Sequence, residues 1–418
     1  MGIPTVVSAL QHTPIQLSTN PTLLPSLIVL PQNGAYWRIL LKSAKKIRRW
    51  SIPIIVNFVW IIISALLTII GTFYAPVPGE IGYGAVASLV YLLPLTIGWL
   101  YVGSEPESNH LRDSLEEANS VAFVATNRGG EPVLAESLVG QPNRAIEFVK
   151  RCDVDLARKD ESKANPIFNY SRTFVWSQIA EVIYTMARNA AVRAEGVASI
   201  HRPSSGPEVE VTTKGRSWTA YEVIGYCATE NFEELSRWAT GAWKRTALAA
   251  GLALGLQWGT TGAGLFIYYE MRPVGLGCRT TALLIYGILG TLSFLLLLAS
   301  SILAQISRPR PGSRHRYSKL RFFQEAAAVL SRWLGKILGV IAGFWILVIS
   351  LIQPLGFFNN CWCSSMTFDR APQNVAFMMG GFVSQWEVCK DLVGGLALAF
   401  VTVSFFGFSI YLGTPRKR

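Results

Sequence analysis

Long apolar runs alternate with mixed segments along the chain, and the runs set the expected architecture. Six stretches, 52–74, 81–102, 247–269, 281–304, 337–358 and 392–412, contain no Asp, Glu, Lys, Arg or His. About 20 mostly apolar residues are enough for a helix to cross the hydrocarbon core of a bilayer. Each stretch therefore predicts a transmembrane helix, and the fold class is an all-α polytopic membrane protein with six such helices. The segment between the second and third, 103–246, is too long to be a bare connection. It predicts an α+β insertion.

Finer patterning fills in the insertion. SVAFVATNRGGEPVLAES and EVEVTTKGRSWTAYEVIG each place β-prone residues around a Gly-containing turn and predict a hairpin. Between them, Val175, Ile179, Val182, Met186 and Ala190 recur at helical spacing and predict one apolar helix face. That face packs on protein or, on the rival reading, lies in the bilayer surface. Asn231 precedes two glutamates as an N-cap would, so a helix is expected to run from Phe232 into the third span. His110 stands among acidic residues on a solvated helix face, and His201 stands in a Pro-Ser-Gly linker; neither predicts a metal site. The N-terminal segment 1–35, rich in Pro, Thr and Gln, reads as a disordered tail without the basic start and adjoining apolar core of a signal peptide. Residues 36–51, WRILLKSAKKIRRW with its flanks, predict a basic juxtamembrane helix on anionic inner-leaflet lipids.

Composition supports the membrane reading. Half of the 418 residues are hydrophobic, 15% are charged and the mean hydropathy is +0.33, too apolar for a soluble chain of this length. Charge then sets orientation, because short loops rich in Lys and Arg stay cytoplasmic. The basic clusters at 38–49, in the loop 305–336 and in the tail 413–418 share one side if the spans alternate. Both termini and the insertion are thus expected in the cytoplasm, in the plasma membrane or an endomembrane. The Asn169-Tyr170-Ser171 sequon should accordingly carry no glycan.

Cysteines agree with that sidedness without having been used to set it. Cys278, Cys361, Cys363 and Cys389 fall on the outer face, where disulfides persist. Cys361 and Cys363 are too close for an easy mutual bridge, so each is expected to pair with Cys278 or Cys389 and tie the outer loop 359–391. Metal binding by Cys-Trp-Cys is the rival, weakened by the absence of histidine on that face.

The chain offers little catalytic chemistry. It has no HExxH, no Gly-x-Ser-x-Gly, no aspartate-rich diphosphate motif and no phosphate-binding glycine loop after a strand. Uncharged spans argue against proton coupling, although a site built from backbone carbonyls survives that objection. No catalytic residue, metal, cofactor or nucleic-acid partner is expected.

The stronger signal is packing. Gly251, Gly255 and Gly259 in the third span, and Gly335, Gly339 and Gly343 at the start of the fifth, recur every four residues, a spacing that lets helix backbones approach closely in lipid. Gly259 also belongs to a polar knot with Gln257, Trp258, Thr260 and Thr261, which is either a helix seam or a ligand site.

LQWGTTGAGLFIYY followed by GLGCRTTALLIYGILGTL resembles a stretch of a group of uncharacterised multi-pass membrane proteins of filamentous fungi. The resemblance implies a fungal membrane protein and carries over no catalytic or ligand residue. The leading functional expectation is a non-enzymatic scaffold, receptor-like or accessory membrane component with a protein partner on the insertion. A transporter or channel, marked by a polar cavity bordered by Asn57, Gln257, Thr260 and Thr261, is the second class. A membrane enzyme is the third.

Overall fold

The structure is a computed structural model. It describes residues 3–11, 13–18, 20–45, 108–126, 131–138, 142–148, 170–195, 198–200, 209–211, 219–227, 238–270, 275–308, 319–353, 357–359, 363 and 385–413, with a few positions between 55 and 63. The chain divides into two compact units. Unit 1 comprises Met1–Arg49, Ser104–Ala242 and Leu297–Arg332, and unit 2 comprises Trp50–Gly103, Trp243–Leu296 and Trp333–Arg418.

Unit 1 corrects the expectation of a disordered tail. Residues 3–45 fold as α1 (Ile3–Ala9), β1 (Ile15–Leu17), α2 (Leu23–Val29) and α3 (Gly34–Lys45). They are followed in this unit by α4 (Ser108–Ser120), β2 (Phe123–Val124), β3 (Val133–Leu134), β4 (Ile146–Phe148), α5 (Ser171–Glu195), β5 (Ala198–Ile200), β6 (Val209–Val211) and α6 (Ala220–Cys227). One core takes Val6, Leu10, Leu24, Leu27, Tyr36, Trp37 and Leu40 from the N-terminal segment and Leu111, Leu115, Ile146, Ile183 and Met186 from the insertion. The tail is ordered because its short apolar pieces are completed by residues of 108–227, some 70 to 180 positions away.

Specific hydrogen bonds fix that assembly. β1 pairs antiparallel with β4 in the register Ile15↔Phe148, Gln16↔Glu147 and Leu17↔Ile146. The buried Asn33 amide donates to the carbonyls of Ser26 (2.8 Å) and Phe123 (3.0 Å), and its oxygen accepts from the Phe123 N–H (2.8 Å). Trp37 Nε1 donates to Leu27 O at 2.8 Å, and Trp176 Nε1 to Val7 O at 2.6 Å. Tyr36 and Trp37 meet edge to face at 5.3 Å, and burial pushes the Tyr36 phenol pKa up. Of the segment read as a basic juxtamembrane helix, residues 36–45 are helical and bury Tyr36, Trp37 and Leu40 in unit 1, while 46–51 lie outside the described residues.

The segment 103–246 follows the sequence in part. β2 and β3 form the first expected hairpin, paired Phe123↔Leu134 and Val124↔Val133. On α5, Ile179, Val182 and Met186 are buried, and Val175 and Ala190 pack against the same core, so the apolar face meets protein. The second hairpin is a correction. β6 pairs with the preceding β5, while TAYEVIGYC turns into α6. The cause is a capping box: Thr219 Oγ1 accepts from the Glu222 N–H at 3.3 Å and Glu222 Oε2 accepts from the Thr219 N–H at 3.1 Å. At its other end Asn189 Nδ2 donates to Cys227 O (3.1 Å) and Arg193 Nη1 to Tyr226 O (3.0 Å), and the buried Cys227 thiol has its pKa raised by burial to about 12. Ser171 is buried at the start of α5, and Asn169 lies outside the described residues.

The remaining helices are α7 (Ala242–Glu270), α8 (Cys278–Ser307), α9 (Lys319–Ile352) and α10 (Gln385–Gly413). Helix α7 starts after Gly241 at φ 71°, a left-handed conformation that favours glycine, so the expected continuous helix from Phe232 is interrupted by a turn. The basic loop expected over 305–336 is helical at 305–307, the end of α8, and from Lys319 onward, where Leu320 and Phe323 continue the repeat of α9. Among the described residues two helices, Cys278–Ser307 and Lys319–Ser350, are long and apolar enough to cross a membrane, and Val393–Phe408 is a shorter apolar run. The expected span 247–269 lies in α7, where Gln257, Thr260, Thr261 and several glycines dilute its hydrophobicity. The stretch 81–102 and nearly all of 52–74 lie outside the described residues.

Candidate functional site: the helix seam at Gln257–Thr261

The polar knot lies mid-helix in α7 and is shared between two neighbouring helices. Toward α8, Gln257 Nε2 donates to Gly287 O at 3.2 Å and Trp258 Nε1 donates to Thr291 Oγ1 at 3.0 Å. Thr291 Oγ1 in turn donates to Gly287 O at 2.8 Å. Glycines make this approach feasible. A Cβ at Gly290 would come within 2.6 Å of Gln257 Nε2, and one at Gly287 would sit 3.1 Å from the Trp258 ring and 3.2 Å from Thr261 Cγ2.

Toward α10, a Cβ at Gly255 would meet the Phe406 ring at 3.0 Å, and a Cβ at Gly259 would overlap Thr402 Cγ2. The reciprocal notch is Gly395 of α10, where a Cβ would overlap the Ile267 side chain and lie 3.3 Å from Ala263 O. Thr260 is fully buried and returns its hydroxyl to Leu256 O at 3.0 Å within α7. Thr261 is buried against Gly287, and its hydroxyl makes no hydrogen bond.

The second glycine series is used differently. Ser293 Oγ of α8 donates to Gly335 O of α9 at 2.7 Å, and a Cβ at Gly339 would lie 3.0 Å from that same Oγ. Gly251 and Gly343 face open space, so four-residue spacing marked the right helices but not every contact. Gly287, Gly290 and Gly395, which receive the side chains of α7, were not singled out. Their signal was small residues opposite bulky polar ones on another helix, which one helix read alone does not reveal.

A small apolar core, Ala263, Ile267, Tyr268, Leu283, Tyr286, Ala342, Ile346 and Ala399, closes unit 2. At its edge Tyr268 Oη donates to Gln353 Oε1 at 2.8 Å, and Trp345 Nε1 donates to Ala282 O at 2.8 Å. Cys278, the first residue of α8, is bonded to Cys363 with a Cα–Cα distance of 5.4 Å. Cys361 and the Cys389 side chain lie outside the described residues. Among the described residues no group of three or more His, Cys, Asp or Glu is placed to hold a metal.

Non-reducing peptide mapping should therefore recover a Cys278–Cys363 link. Closing a loop of 85 residues, the bond is worth about 2–4 kcal/mol, and Cys278→Ser should lower the melting temperature of the detergent-solubilised protein by several degrees. A free Cys363 thiol in freshly extracted protein would contradict the bridge.

Chemically, the knot joins helices. Gln257 and Thr260 donate to backbone carbonyls and Trp258 to a neighbouring hydroxyl, contacts worth roughly 0.6–2 kcal/mol each in lipid. Set against known proteins, the chain matches no family model, no curated protein and no solved structure.

Proposed function

We propose that the chain is an integral membrane scaffold or accessory component. In this reading a six-helix bundle holds unit 1 at the cytoplasmic face, where it docks a protein partner. The carrying observation is the inverted exposure of unit 2. Leu248, Phe266, Ile288, Leu292, Phe344, Phe400, Val401 and Phe405 are exposed, while Thr260, Thr261, Ser293 and Gln353 are buried. Apolar side chains outward and polar ones inward suit a lipid surround, because hydrocarbon cannot satisfy a polar group.

Support for the topology comes from connectivity. The segments that make up unit 1 lie before 50–103, between 50–103 and 243–296, and after 243–296. Three segments gathered into one folded unit fit an even number of crossings in each intervening stretch, as paired spans require. Basic residues at 38–49, 308–321 and 416–418 favour a cytoplasmic position for that face and both termini. The bond between Cys278 and Cys363 belongs to the opposite, oxidising face.

The scaffold reading is favoured over transport because, of the residues expected to border a path, Gln257 donates to Gly287 O of the neighbouring helix and Thr260 to its own helix, Thr261 is buried, and Asn57 lies outside the described residues. On unit 1, Tyr184 and Val192 of α5 are exposed and offer a partner an apolar foothold. The test substitutes Tyr184→Asp and Val192→Asp together in the full chain. Cellular function should be lost while membrane insertion and unit 1 stability persist. Solute flux through liposomes reconstituted with the wild-type protein, abolished by Gln257→Leu, would establish the transporter class instead.

A further inference from the structure

Helix α9 carries two opposed faces with the same repeat. Its inner face, Glu325, Ala328, Arg332, Gly335, Gly339, Ala342, Ile346 and Ile349, alternates steps of three and four residues and is buried or nearly so. Small and polar residues dominate it, with Arg321 Nε on Glu325 Oε1 at 3.1 Å and Gly335 O accepting from Ser293.

The outer face runs Leu320, Phe323, Ala327, Leu330, Leu334, Ile337, Ile341, Phe344 and Val348, again in strict steps of three and four. All of its large side chains up to Phe344 are exposed, Phe323 at 71% and Leu330 at 60%. That spacing is the a/d seam of a left-handed coiled coil, sustained over four heptads.

We propose that this outer face is the seam of a parallel homodimer, in which α9 of one copy winds around α9 of a second copy of the chain. The inference rests on the membrane reading of residues 337–352 and goes beyond the proposed function.

Lipid does not account for the whole face. At 1.5 Å per residue, the 34 residues of α9 extend about 51 Å, well beyond the ~30 Å hydrocarbon core. Every charge on the helix, Lys319, Arg321, Glu325, Arg332 and Lys336, precedes Ile337. Phe323 precedes Ile337 by two heptads, about 21 Å along the axis. Leu320, Phe323 and Leu330 therefore project where acyl chains do not reach.

The seam fits a second copy in three ways. With Leu320 at position a, the charges Arg321, Glu325, Arg332 and Lys336 fall at b, c or f, off the interface. Lys319 at g faces the uncharged Gln324 at the partner's e, so two identical helices meet no like charge. Copies in one membrane share an orientation, and a two-fold axis along the membrane normal puts every a and d layer in register by symmetry.

The test uses the full chain in its own membranes, co-expressed with two different tags. Phe323→Cys and Leu330→Cys occupy d positions. Phe322→Cys, at position c, is exposed and adjacent but off the seam, and wild type sets the background of the native thiols. Copper-phenanthroline oxidation should give a mixed-tag dimer at 323 and 330 in at least fivefold higher yield than at 322. Equal mixed-tag yields at 322 and 323 would overturn the seam. Carbonate extraction of the same membranes separates the two failures. Release of the protein overturns the membrane reading and the dimer together, whereas retention without a mixed-tag dimer overturns the dimer alone.

Discussion

Deleting residues 1–33 will unfold unit 1. The segment contributes Val6, Leu10, Ile15, Leu23, Leu24, Leu27, Ile28 and Leu30 as buried side chains. At about 1.5–3 kcal/mol each, their removal matches or exceeds the ~5–15 kcal/mol by which a domain is ordinarily stable. The deletion also strips β4 of its partner and leaves the Phe123 N–H and carbonyl without Asn33. Protease digestion of membranes carrying the truncated chain should cut freely within 108–227 at protease levels the full chain withstands. The single change Asn33→Ala should cost less, about 2–4 kcal/mol, because it leaves buried backbone groups unpaired. A truncated chain as resistant as wild type would return 1–33 to the status of a tail.

Within the bundle, the largest single-residue loss is expected from leucine at Gly259. Even the first carbon of that side chain collides with Thr402, and the remaining atoms would force α7 and α10 apart. Overpacking of this kind costs about 1–3 kcal/mol and often more, with the dispersion contacts of the whole seam at stake. Gln257→Leu forfeits only the bond to Gly287 O and should cost about 0.6–2 kcal/mol. Gly251→Leu provides the internal control, since nothing lies within 4 Å of a Cβ there. The expected order of loss in thermal stability is Gly259→Leu first, Gln257→Leu second and Gly251→Leu least. A tolerated Gly259→Leu beside a stable but inactive Gln257→Leu would make the knot a site.

What could be read from the sequence was what repeats locally. The stripe Val175 to Ala190 gave one face of α5 because a single helix carries it whole. Sidedness narrowed the partner of Cys363 to Cys278 or Cys389 without choosing between them, and the structure bonds it to Cys278. The N-terminal segment was missed for a physical reason. Its helices are seven residues long, too short to show a period, and its strand is completed by Ile146–Phe148, some 130 positions away. The second hairpin failed where Thr219 and Glu222 offered a readable capping box that outweighed the β-prone composition. The glycine series located α7 and α9 as packing helices but missed Gly287, Gly290 and Gly395, because a notch is defined by the side chain it receives. The outer heptad of α9 was present throughout, hidden by the assignment of 305–336 to a loop.

The central claim is that the segments on either side of residues 50–103 are one folded unit on one face of the membrane. Its most direct test is a pair of cysteines at Gln16 and Glu147, which face each other across β1 and β4. In carbonate-washed membranes the double variant should form a disulfide on mild oxidation, with neither single variant doing so. In sealed vesicles both positions should then be reached by an impermeant maleimide from the same side. Failure of the pair to link, with residues 16 and 147 labelled from opposite sides, would contradict the claim outright.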